Sequence, residues 1–215
     1  MGLMTQLEVD FFTITGILES LSVLETMILM QKEKCFTLWM LIMLSICICA
    51  QEVHTIIEVD SIKVNDGIVQ GGHNEYYVSS FTEGSIYKFN LKGNVNLLTT
   101  GLVTSNGLYI NSYGELLAAD PDGNKIYKID TATGRFLDTI SIHSPGAIAG
   151  IPGNDTLLVT DWRTNRIHKL APDGSSSTYL SGAPLNAPVG ICYLPSEQNI
   201  LVANFNNRRI YRIRN

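Results

Sequence analysis

The sequence repeats nearly the same phrase four times: NEYYVSSFTEGSIYKF, GELLAADPDGNKIYKI, DTLLVTDWRTNRIHKL and QNILVANFNNRRIYRI. Its anchoring isoleucines, Ile86, Ile126, Ile167 and Ile210, are spaced by 40, 41 and 43 residues. Short apolar runs recurring every 40–45 residues or so mark β-propeller blades, units that bury their faces only by stacking on one another. An all-β propeller with four recognisable blades is therefore expected.

Each repeat divides into strand-sized pieces. The first begins at a glycine (Gly67, Gly107, Gly146, Gly190). The second, YYVSS, LLAA, LLVT or ILVA, is apolar or small throughout instead of alternating, so both of its faces are expected to be buried. After a turn at Gly84, Asp122-Gly123, Asn165 or Asn206-Asn207 comes the third: IYKF, IYKI, IHKL or IYRI. Its Lys88, Lys128, Lys169 and Arg212 read as a solvated outer-strand position. Asp120, Asp161 and Asn204 follow the second piece, with Phe81 in the remaining repeat, and read as caps of the turn beyond. Fourth pieces (VNLLTT, RFLDTISI, SSTYLSG) are the loosest, and the last repeat stops after its third. TIIEVDSI, residues 55–62, precedes the first repeat and would complete the last blade if the ring closes there, removing an exposed edge.

The N-terminal part is of another kind. Residues 35–50, CFTLWMLIMLSICICA, are uncharged and apolar, preceded by Lys32 and Lys34 and ending at Ala50. Residues 30–50 thus have the layout of a signal peptide, which implies an exported chain, periplasmic or extracellular. An uncleaved membrane anchor is the alternative, and it would be the chain's one route to a membrane. Residues 1–29 read as an unstructured extension or an over-long start, with Met27 or Met30 as conventional starts. N-terminal sequencing of the exported protein is expected to begin at Gln51, whereas a chain still carrying residues 30–50 would indicate an anchor.

Residues 51–215 form the expected propeller domain. They carry 13 Lys and Arg against 15 Asp and Glu, so no basic excess favours nucleic acid. Cys192, the domain's one cysteine, reads as a core residue of a first strand. Trp162 and Arg163 break the repeat and read as rim residues of the interface-anchor type. His54, His73, His143 and His168 fall in unrelated places, and His168 stands where other repeats have tyrosine. They form no constellation along the sequence.

SNGLYINSYGELLAADPDGNKIYKID, TLLVTDWRTNRIHKL and PVGICYLPSEQNILVANFNNRRIYRI resemble blades of the NHL-repeat propellers and of the regucalcin/gluconolactonase family with its strictosidine-synthase-like relatives. The resemblance covers about residues 64–214. It implies a ring that normally has six blades, so the four seen are either a small closed ring or part of a six-bladed one. It also implies a divalent metal, calcium above all, at the mouth of the central channel, and hydrolysis of lactones. The family's ligands include an Asn in an [SP]-N-G motif, an Asp in P-D-G one blade later, and a Glu near the N-terminus. Asn106, in Ser105-Asn106-Gly107, matches the first. The next two blades have Ser144-Pro145-Gly146 and Pro188-Val189-Gly190, without a carboxylate. Asp66, in Asn65-Asp66-Gly67, is the one acid at this position, and Glu52 and Glu58 lie in no matching motif.

Asp66 and Asn106 are thus the candidate metal ligands, and no catalytic residue is assigned. Calcium takes about six to eight oxygens, so carbonyls or water would have to complete the shell. Asp and Asn before glycine equally suit tight turns. Two functions follow as expectations: a binding or degenerate, non-catalytic propeller taking a small molecule, protein or glycan through its loops, or a metal-dependent lactone or ester hydrolase.

Overall fold

The computed structural model describes residues 21–32 and 65–214, Asn154 excepted. The chain divides into two units, Met1–His54 and Thr55–Asn215. In the first, residues 21–32 form an α-helix with every residue exposed. No helix among the described residues is long and apolar enough to cross a membrane. The apolar run 35–50 and the strand candidate 55–62 lie outside the described residues.

The second unit is four antiparallel sheets set as propeller blades. Blade 1 comprises β1 (Asn65–Gln70), β2 (Tyr76–Ser80), β3 (Ser85–Phe89) and β4 (Val95–Thr100), and blade 2 comprises β5 (Leu108–Ile110), β6 (Leu116–Asp120), β7 (Lys125–Ile129) and β8 (Phe136–Ser141). Blade 3 comprises β9 (Pro145–Ile151), β10 (Thr156–Asp161), β11 (Arg166–Leu170) and β12 (Ser176–Ser181). Blade 4 has three strands, β13 (Pro188–Leu194), β14 (Asn199–Asn204) and β15 (Arg209–Arg214). Strands pair in chain order within every blade.

The turns repeat as faithfully as the strands. The residue closing the first hairpin is left-handed in all four blades: Asn74, Gly114, Asp155 and Gln198. The second hairpin has a left-handed residue at Gly84, Asn124, Asn165 and Arg208. Gly, Asn and Asp tolerate this conformation best. The special position is therefore Asn124 and Arg208, one residue beyond the expected Gly123 and Asn207. In blades 1–3 its carbonyl also accepts from the connector leading onward: Leu102 N to Gly84 O (3.2 Å), Ile142 N to Asn124 O (3.1 Å) and Gly182 N to Asn165 O (3.0 Å).

Middle strands send alternate residues to the preceding blade (the back face) and the following blade (the front face). Tyr77 and Ile86 on the front of blade 1 pack with Leu108, Leu116 and Ala118 on the back of blade 2. Leu117, Ala119 and Ile126 meet Ile148, Leu157 and Val159 across the next interface. Leu158 and Ile167 meet Ile200 and Val202 across the third. Burying both faces of the middle strand holds fully for β6 and β10, but the front of β14 is only half-covered at Leu201 and Ala203. Cys192, opposite Leu201 in the sheet, is exposed and not a core residue. Its strand is the innermost of its blade, but no described residue covers that face.

Innermost strands approach closely. A Cβ at Gly67 would fall 2.4 Å from the Asn106 carbonyl oxygen, and one at Gly107 would fall 2.4 Å from that of Gly146. Both obstacles are backbone, which cannot swing aside. Gly107→Ala is accordingly expected to cost about 2–4 kcal/mol by chemical denaturation. Gly72→Ala, where the added methyl meets nothing within 4 Å, should stay within about 0.5 kcal/mol of the parent.

Candidate functional site

Two places on the blades gather polar chemistry. One is the end where connectors reach the innermost strands, and the other is the opposite end, at the first hairpins.

At the connector end, the last residue of the middle strand in blades 2, 3 and 4 reaches back to the segment leading into its own blade. Asp120, fully buried, accepts from Val103 N (2.8 Å), Thr104 N (3.1 Å), Thr104 Oγ1 (3.2 Å) and Gly123 N (2.7 Å). Asn204 Oδ1 accepts from Asn186 N at 2.8 Å. The expected turn-capping role is present in Gly123 N, but these side chains also bolt the connector down, which requires residues 16–18 positions away. In blade 1 the equivalent residue is Ser80, at the end of β2, and not Phe81. Its hydroxyl donates to Glu83 Oε2 at 3.0 Å.

Asp161 is the most elaborate of these bolts. Fully buried, it accepts from Arg163 N (3.0 Å), Thr164 N (3.0 Å) and Thr164 Oγ1 (2.5 Å). His143 Nδ1 lies 2.8 Å from its Oδ2 and His168 Nε2 lies 3.3 Å away. The two histidines, unrelated along the sequence, thus share one carboxylate. His168 is a specific hydrogen-bond partner on β11, not merely a tolerated aromatic substitute. Desolvation pushes the Asp161 carboxyl up, but hydrogen bonds from Thr164, His143 and His168 outweigh it and hold the pKa below the ordinary value.

The sequence-predicted ligands start adjacent innermost strands. Ser79 Oγ accepts from Gly67 N (2.7 Å) and donates to Asn106 O (2.7 Å), tying the two starts together. Asp66 is exposed, yet the protein around it raises its carboxyl pKa by desolvation. Asn106 is half-buried. Pro145 and Val189 at the corresponding positions bring no side-chain ligand, and among the described residues no three His, Cys, Asp or Glu side chains converge as a metal-holding group. The buried hydroxyls of Ser105 and Ser144, which precede the same positions in blades 2 and 3, have no hydrogen-bond partner among the described residues.

Trp162 and Arg163 sit where expected, on the rim. The guanidinium lies 5.0 Å over the Trp162 ring and pairs with Asp122 of blade 2, so this cation–π pair bridges two blades. Three of the recurring outer-strand cations are in ion pairs: Lys88 with Glu75 (2.7 Å), Lys128 with Asp138 (3.8 Å) and Arg212 with Glu197 (3.4 Å). Partly exposed pairs of this kind contribute little stability, in keeping with a solvated position.

At the hairpin end, blades 2 and 3 part around a cleft of about 510 Å³. Leu117, Leu157 and Leu170 line it, along with the phenol of Tyr109, Tyr113 and the carboxylates of Glu115 and Asp155. A Cβ at Gly150 would strike the Tyr109 hydroxyl, so this glycine is what lets the ring lie there. Nothing in the repeat marks the cleft, because the gap arises between two blades.

No family model matches the sequence, and no curated protein sequence matches it either. Solved structures do match. A putative gluconolactonase superposes with a TM-score of 0.63 at 18% identity, over 72% of this chain and 60% of its own. The chain is a β-propeller. A catalytically inactive virginiamycin B lyase from Staphylococcus aureus, solved with quinupristin, gives 0.60 at 15% identity over 74% and 58%. A propeller in a nidogen/laminin complex gives 0.61 at 19% over 71% and 61%. The chain spans less than two thirds of the length of each, and identities this low establish the fold alone.

Ionised Asp161 contributes stability above the ordinary carboxylate range, and that contribution is lost as pH falls through its depressed native pKa. Asp161→Asn is expected to cost about 1–3 kcal/mol near neutrality. Urea midpoints for parent and variant should converge as the pH falls below the ordinary carboxylate range and through the depressed native pKa, and a gap independent of pH would refute the assignment.

Proposed function

We propose that this chain is a non-catalytic binding propeller, degenerate relative to the lactonases it resembles, and that it takes a small polyhydroxylated ligand such as a glycan in the cleft between blades 2 and 3. The observation that carries this reading is where the acids are. Asp120 and Asp161 are buried and saturated with hydrogen bonds from their own connectors and following turns. Asp66 is left as the exposed carboxylate at the first-strand starts. A lactone hydrolase needs carboxylates free to converge on a cation and an activated water.

The cleft offers what a carbohydrate uses. Tyr109 and Tyr113 supply aromatic surface, and Glu115 and Asp155 supply acceptors for hydroxyls. Its volume lies within the usual range for small-molecule sites of roughly 300–1,000 Å³. Residues 30–50 support placing this activity outside the cytoplasm, in a secreted or membrane-anchored protein.

A second reading rests on Asp66 and Asn106, neighbours at the channel-side start of blades 1 and 2. There they would hold a divalent cation, calcium by the chemistry of hard oxygen donors, with backbone carbonyls completing the shell. Calorimetric titration with neutral mono- and oligosaccharides is expected to show binding that weakens at least about tenfold in Tyr109→Ala. Asp66→Ala should leave it unchanged. Calcium binding accompanied by lactone turnover, both lost in Asp66→Ala, would replace the binding reading with the hydrolase.

A further inference from the structure

Each packed interface pairs an isoleucine of the third strand with an apolar residue of the first strand in the next blade. Ile86 shares a cluster with Leu108, Ile126 with Ile148, and Ile167 with Ile191. The three donors of this contact are 0% exposed, and Leu108 and Ile148 are 8% exposed. The same two positions occur once more, on the front of blade 4 and the back of blade 1. There, Ile210 is 72% exposed and Ile68 is 66% exposed. They are the two halves of a fourth interface that the chain carries but does not make among its described residues.

The surface around each isoleucine is that of the packed interfaces. On the front of blade 4, Ile210 lies opposite Ala203 in the sheet, and Cys192 lies opposite Leu201. Leu201 and Ala203 are half-buried, whereas their equivalents in blade 2, Leu117 and Ala119, are sealed. Gly190, the first-strand glycine, meets nothing nearer than Ala203 Cβ at 3.4 Å, whereas Gly67 and Gly107 press on the following blade. On blade 1, Ile68 lies opposite Val78 as Leu108 lies opposite Ala118.

We infer that the front of blade 4 receives the back of blade 1 from a second copy of this chain, continuing the blade-on-blade packing from one molecule to the next. The occupant follows from the repeat. A front face of this composition is covered three times in the structure, each time by a back face built at the same positions. Among the described residues, the one back face of this kind left bare belongs to blade 1. The contact is heterologous, so two copies can close on each other head to tail into an eight-bladed ring, or more copies can extend.

The test uses the full chain in a non-ionic detergent, with mass measured by light scattering and analytical ultracentrifugation, and circular dichroism as the check that each variant is folded. The parent is expected to dimerise or extend further. Ile210→Glu and Ile68→Glu should each weaken association by at least about tenfold, giving monomers at concentrations where the parent associates. Mixed together, the two variants should form a heterodimer, because each keeps the face the other has lost. A monomeric parent, or association that survives both substitutions, would overturn the inference. So would a mixture of the two variants that stays monomeric while each is folded.

Discussion

Everything in this propeller depends on how closely one blade can lie on the next. Gly67 and Gly107 bring innermost strands to backbone contact, where even a methyl group would collide with a carbonyl oxygen. That approach lets the third-strand isoleucines Ile86 and Ile126 be fully enclosed by the following blade, and Ile167 is as fully enclosed at the next interface. Each buried isoleucine is worth roughly 1.5–3 kcal/mol in removal from water. The repeated contact makes stability a sum over neighbouring interfaces, as in other repeat architectures.

The second recurring device is polar. Asp120, Asp161 and Asn204 end their middle strands and fasten the connector that leads into the blade. On the other side, Asn124 and Asn165 take the backbone of the connector leading out, through Ser144 N (2.9 Å) and Ala187 N (2.7 Å). A buried carboxylate surrounded by donors is stable because every lone pair has a partner. The same saturation removes it from chemistry. Asp120 and Asp161, read along the sequence as turn caps, are structural in the fold, and their saturation supports the binding reading over a hydrolase.

Much of this was legible in particular residues. The isoleucine spacing, the glycine at each first strand and the unbroken apolar middle pieces all belong to local geometry, and each appears in the structure. The places where the reading failed have a common cause. Asp122-Gly123 looked like the special turn, but Asn124 is the left-handed residue, because register across β6 and β7 decides which residue must turn. Cys192 looked like core, since its strand is innermost, yet burial there depends on a covering blade. His143 and His168 seemed unrelated because 18 and 7 residues separate them from the Asp161 they share. The cleft between blades 2 and 3 belongs to no repeat and left no mark in any.

By itself, the sequence determined the unit: a blade of short antiparallel strands, its turns, its two apolar faces and the number of copies. These follow from periodicity and backbone preference, which act over a few residues at a time. Tertiary structure alone decided which faces are covered, which carboxylates are occupied and where a cavity opens. Those properties arise from groups far apart along the chain meeting in space. Ile86 and Ile210 hold the same place in the same phrase, and only the presence or absence of a neighbouring blade makes one buried and the other bare.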